Sequence, residues 1–119
     1  MVVLKLEKEA DFIPWLRQHS DKPVLVKFFT TWCGPCQVLQ RNLEKLLTER
    51  KENKQPDLPV LAVDADRFPQ LEYQDLEQKT QQLAVYSVPT LFLFQAGKKV
   101  KEERGALSME QLKEFIDTY

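Results

Sequence analysis

A thiol pair sits at the junction between a buried strand and a helix, and few folds accommodate that junction. Val24-Leu25-Val26-Lys27-Phe28-Phe29 is an apolar run of strand length. After a short turn, Cys33-Gly34-Pro35-Cys36 opens a segment with Cys36, Leu39, Leu43, Leu46 and Leu47 spaced by three and four. Gln37, Gln40, Arg41, Glu44 and Lys45 fall on the opposite, wet side, as an amphipathic helix requires. The first sulfur therefore lies at a helix N-terminus, where unpaired backbone N–H groups and the helix dipole stabilise a thiolate. Two intervening residues let the sulfurs bond to each other, so the pair can donate a disulfide or accept one. These are the only 2 cysteines among 119 residues, which makes their use reactive rather than architectural.

The rest of the chain reads as one domain, residues 1–119, of alternating strands and helices. Val2 to Leu6 is a short edge strand. Asp11 to His19 is a short helix, with Pro14 in its first turn, where a missing N–H does little harm. After the long helix come a polar loop from Asn53 to Pro59 and a strand from Val60 to Asp64. Phe68-Pro69 is read as opening a third helix, with Tyr73, Leu76, Thr80 and Leu83 as its inner stripe. Thr90 to Phe94 is an apolar strand, and Ala96-Gly97 turns it into the more polar Lys99 to Arg104. Ser108-Met109-Glu110-Gln111 fits a capping box for a last helix burying Leu112, Phe115, Ile116 and Tyr119. The predicted order is βαβαβαββα, an α/β fold with a mixed central sheet and helices on both faces.

Several function classes are disfavoured. The formal net charge of -1, with Lys98 to Arg104 mixing both signs, argues against nucleic acid or an anionic membrane as partner. No stretch approaches the roughly eighteen apolar residues of a membrane span, and no basic-then-apolar leader opens the sequence. A reducing, cytoplasmic setting is the expectation. A closed zinc site needs four ligands, and the chain offers Cys33, Cys36 and the lone His19. A purely structural disulfide across so short a loop contributes only about 2 kcal/mol. His19 reads as a helix C-cap, Trp15 as packing, and Asp64 and Asp66 as strand-end turn chemistry. Trp32, beside the thiol, is suited to touch a bound partner. With 3 glycines and no Gly-x-Gly-x-x-Gly, no nicotinamide or flavin cofactor is expected.

Trp32-Cys33-Gly34-Pro35-Cys36, the element order, and Val88-Pro89-Thr90 ahead of an apolar strand together resemble the thioredoxin family. The resemblance runs over nearly the whole chain and extends to Gly97 and Gly105-Ala106-Leu107-Ser108. It implies a protein-disulfide reductase in which Cys33 is the exposed nucleophile and Cys36 the shielded resolving thiol. It further implies a cis Pro89 facing the sulfurs, and a groove formed by Trp32, Gly34, Pro35, Val88, Pro89 and Gly105. Gly34-Pro35 between the cysteines resembles the reductive members. The implied partners are protein disulfides and a separate reductase of the thioredoxin-reductase type, with the chain acting as a monomer.

The chain departs from the family pattern at several places. Lys27 stands where a buried aspartate is usual, and Ala62 where that aspartate has a lysine partner. Lys27 either snorkels to water or stays beside Cys36, where its charge would make the couple more oxidising. Phe29 replaces a common tryptophan, and Arg41 a proline that often kinks the long helix. The segment from Arg67 to Gln82 is longer than in small relatives. Two other readings stay open: a protein-binding module without redox turnover, and a more oxidising exchange protein.

Overall fold

The computed structural model describes residues 3–75 and 77–117. Its centre is β2 (Val24–Phe29), which pairs in parallel with β3 (Val60–Asp64) and antiparallel with β6 (Thr90–Gln95). β1 (Val3–Lys5) adds in parallel outside β3, and β7 (Lys98–Arg104) adds antiparallel outside β6. The sheet order is β1-β3-β2-β6-β7. The register aligns Lys5, Ala62 and Lys27 in one row across three strands.

Because side chains alternate along a strand, β2 feeds two different layers. Val24, Val26 and Phe28 enter a core with Phe12, Trp15 and Leu16 of α1 (Phe12–Gln18). Leu25 enters the opposite core, under α2 (Gly34–Glu52) and α3 (Met109–Asp117). α2 runs unbroken through Arg41 and buries Cys36, Leu39, Leu43, Leu46 and Leu47, the stripe its spacing predicts. The capping box forms: Gln111 N–H donates to Ser108 Oγ (3.2 Å), and Ser108 N–H donates to Gln111 Oε1 (2.9 Å). Edge strand β7 is blunted by charge, with Glu102 bridging Lys99 and Arg104. Val2 and Tyr119, assigned from sequence to a strand and a buried helix face, lie outside the described residues.

The expected third helix is not there. Gln70–Gln74 forms β4 and Thr80–Ala84 forms β5, an antiparallel hairpin standing apart from the main sheet. A helical and a strand pattern both run through Tyr73 and Leu83, so spacing alone does not separate them. Leu71 does: it alternates with Tyr73 along β4 and lies directly opposite Leu83. All three are buried against the α1 side of the sheet, and the Tyr73 ring meets Phe94 edge-on at 5.1 Å. Thr80, assigned to the buried stripe, is exposed, and Leu76 lies outside the described residues. Asp75 builds the turn, its carboxylate accepting from the N–H of Glu77 (2.9 Å) and of Lys79 (3.0 Å). An aspartate bonding its own backbone two residues on competes with a helical turn. Helices therefore do cover both faces, but α1 shares its face with a hairpin.

Candidate active site

The strand-to-helix junction places the cysteines as expected. Cys33 is the N-cap of α2, and the Cys36 N–H donates to Cys33 Sγ at 3.1 Å. Pro35 occupies the first turn, where the helix needs no N–H from it. Cys33 and Cys36 are joined in a disulfide with their Cα atoms 5.3 Å apart. The exposed-versus-shielded contrast needs correcting, because both residues are nearly covered, at 5% and 4% exposure. What differs is the opening each one borders. Cys33 faces an outer groove, and Cys36 a separate cavity on the α2 side of β2.

The groove, about 610 Å³, is lined by Trp32, Gly34, Pro35, Tyr86 and Val88 around Cys33. Cys33 Sγ lies 3.9 Å from the Val88 carbonyl oxygen. The Val88–Pro89 peptide is cis, as the resemblance implies, but Pro89 is buried and is not part of the groove lining. Gly105 also lies off the lining: its N–H donates to the Pro89 carbonyl at 3.0 Å, so it backs the proline. Its φ of +96° explains a glycine there. Thr90 hydroxyl donates to the Ser87 carbonyl at 2.7 Å and ties down the loop that carries Val88.

Trp32, 73% exposed, stands at one side of the groove with its indole N–H donating to Asp66 Oδ2 at 3.0 Å. Asp64 Oδ1 in turn accepts from the Asp66 N–H at 3.0 Å, so these acids do make strand-end turn chemistry. Asp66 additionally fixes the indole. Tyr86, at 83% exposure, flanks the same groove. Sequence reasoning missed Tyr86, because residues 86–89 form a bend around the cis peptide and no spacing signals which side it takes. Asp66 and Thr90 were visible as residues but carried no signal of what they would bond.

Lys27 does not reach water. It is 4% exposed, and it lines a cavity of about 520 Å³ together with Cys36, Lys5, Phe29 and Arg41. Its ammonium lies 5.5 Å from the Phe29 ring centre, and Lys5 approaches the same ring at 6.0 Å. Burial pushes the Lys27 amine down to about 8, with Glu44 pulling the other way. Ala62, beside Lys27 in register, offers no charge to pair with it.

His19 caps α1 with its ring 5.2 Å from Trp15, and borders neither opening beside the disulfide. Among the described residues no group of three His, Cys, Asp or Glu is placed to hold a metal ion. Nor is any helix among them long and apolar enough to cross a membrane.

Comparison with known proteins agrees with this geometry. The family model for thioredoxin matches residues 2–118. The chloroplastic thioredoxin Y2 of Arabidopsis thaliana is 38% identical over 104 residues, covering 86% of this chain and 54% of that protein. A thioredoxin of Mycobacterium bovis is 41% identical over 87 residues, covering 73% of this chain and 65% of its own. The chain thus spans 54% and 65% of the length of these two relatives. The crystal structure of Chlamydomonas reinhardtii thioredoxin f2 superposes with a TM-score of 0.73 at 28% identity, covering 98% of this chain and 95% of that one. A buried strand delivering a helix-capping Cys33, a cis Val88–Pro89 opposite it and these similarities have one common source: the chain belongs to the thioredoxin family.

Proposed function

We propose that this protein is a thiol–disulfide oxidoreductase that reduces disulfides in other proteins. One observation carries the reading: Cys33 Sγ lies at the N-terminus of α2, bonded by the Cys36 N–H, on the wall of a groove that Val88 also lines. In the reduced protein that N–H stabilises a Cys33 thiolate. An extended target segment pairs with the backbone at Val88 between the Trp32 and Tyr86 rings, presenting its disulfide to Cys33.

The exchange is balanced at each step. Cys33 thiolate attacks one target sulfur, forming a mixed disulfide and releasing the other as a thiolate. Cys36 then gives its proton to water and attacks Cys33 Sγ, so the first target sulfur leaves as a thiolate. The target gains two electrons, and the Cys33–Cys36 bond holds the oxidised state. A separate reductase of the thioredoxin-reductase type returns those electrons, in a reducing, cytoplasmic compartment. The chain works as a monomer.

Lys27 favours a modestly more oxidising couple than its reductive relatives. A cation near Cys36 stabilises thiolate in the reduced pair, and a stabilised reduced form raises the potential.

The test is turnover of a generic protein disulfide with a dithiol donor. Cys33→Ser abolishes turnover, and Cys36→Ser accumulates a mixed disulfide with the target. Wild-type protein that binds targets yet shows neither turnover nor trapping would instead be a binding module.

A further inference from the structure

At the end of the molecule away from the disulfide, a second enclosed feature belongs to no part of the redox site. A cavity of about 310 Å³ opens between the C-terminal end of α1, the last turns of α2 and the loop before β3. That volume is at the small end of the ~300–1,000 Å³ typical of ligand pockets. Its floor is apolar: Trp15, Leu47 and Leu58 are each buried. Its polar lining has the opposite character to the rest of the chain. Beside Gln18, His19 and Gln55 it carries Lys22, Arg50 and Lys51 against one carboxylate, Asp57, on a protein whose formal net charge is -1.

Arg50 sharpens the preference. Its Nη2 donates to the Pro56 carbonyl at 3.1 Å, which holds the guanidinium in place. Its Nε is buried with no acceptor among the described residues. A carboxylate in the cavity offsets the surplus of positive charge that Lys22, Arg50 and Lys51 carry there. Lysine points alone would suit any anion. The apolar floor and the small volume select a compact anion with an apolar body.

We propose that this cavity is a binding site for a small aromatic carboxylate, with the ring over Trp15 and Leu58 and the carboxylate on Arg50 and Lys22. The site is independent of disulfide exchange, since it shares no residue with the groove or with the cavity behind Cys36.

The probe is 2-naphthoate, titrated into the full chain and followed by amide chemical shifts. The expected result is saturable binding with Kd below about 1 mM, the affinity ligand-efficiency limits allow for a molecule this size. Shifts should map to Trp15, Leu47 and Leu58 and leave Cys33, Cys36 and Val88 still. The uncharged 2-naphthylmethanol should bind at least tenfold more weakly. Arg50→Gln should weaken naphthoate tenfold or more. Because Arg50 also anchors the loop, Lys22→Gln serves as a second variant and should weaken it about threefold. Lys45→Gln, which removes an exposed charge outside the cavity, should leave binding unchanged. The proposal is overturned by equal binding of the alcohol, which means an apolar crevice only. Shifts centred on Trp32 and Tyr86, no saturation, or full affinity in folded Arg50→Gln and Lys22→Gln would overturn it equally.

Discussion

At the scale of single residues, Lys27 sets the most distinctive expectations. Its amine is lowered to about 8 in the folded protein against 10.5 unfolded, because burial disfavours the ammonium. Below pH 8 both states are protonated and the folded state carries the full cost of the buried charge. Between about pH 8 and 10.5 the unfolded chain binds more protons, so stability rises with pH. The rise is on the order of 3 kcal/mol across that window. Lys27→Met should remove the rise and be about 2 kcal/mol more stable at pH 7, which urea unfolding of both proteins from pH 7 to 10.5 measures. Parallel stability curves would show that Lys27 is solvated. The same variant should be more reducing by about 30 mV, since thiolate in the reduced pair loses its neighbouring cation. A potential that stays put or rises against glutathione sinks that account. Tyr86 yields a different kind of expectation, as a contact with the target rather than with the sulfurs. Tyr86→Ala should lower kcat/KM for a protein disulfide by about tenfold (~1.4 kcal/mol). It should leave reduction of a small aromatic disulfide within about twofold. The chemical character of Lys27 was legible in the sequence, but whether its head reached water was decided by the layer of α2 above it.

At the scale of elements, the segment from Gln70 to Ala84 separates what patterns resolve from what they do not. α2 carries a stripe long enough that only a helix satisfies it, and β2, β3 and β6 are short apolar runs between turn residues. Gln70–Ala84 is polar enough to fit either period, and its register came from the Leu71–Leu83 pair and the Asp75 turn. Leu83→Ala should cost about 3 kcal/mol, the usual range for a fully buried leucine, while Thr80→Ala should cost under about 0.5 kcal/mol. Comparable losses at both positions would restore the helical stripe. Asp75 is held below its ordinary value, chiefly by the Lys79 N–H. A lowered carboxyl stabilises above its unfolded pKa and stops doing so as pH falls through the folded value. Amide exchange at Glu77 and Lys79 should therefore speed up on acidification below the usual aspartate range. Asp75→Ala should show the faster exchange already at pH 7.

At the scale of the whole molecule, exposed apolar surface is sparse. Among the described residues the large exposed apolar side chains are Leu4, Trp32, Val38, Tyr86 and Val100, and of these Trp32 and Tyr86 share an opening. With β7 edged by Lys and Glu, that side of the sheet offers no inviting edge for a second copy. Light scattering should return a mass near 14.0 kDa, and a dimer would show that the Trp32–Tyr86 face pairs with itself. The sequence alone determined the strand-to-helix junction, the thiol pair on it and the strands and helices outside Gln70–Ala84, because each is local: adjacent residues, one period, one cap. The tertiary structure decided everything that rests on distant partners. It put Cys33 opposite Val88 across 55 positions, it held Trp32 through Asp66, and it buried Lys27 beneath a helix. It also chose a hairpin where two periods tied, because a side chain's surroundings are set by whichever element packs over it, and no spacing along the chain encodes that.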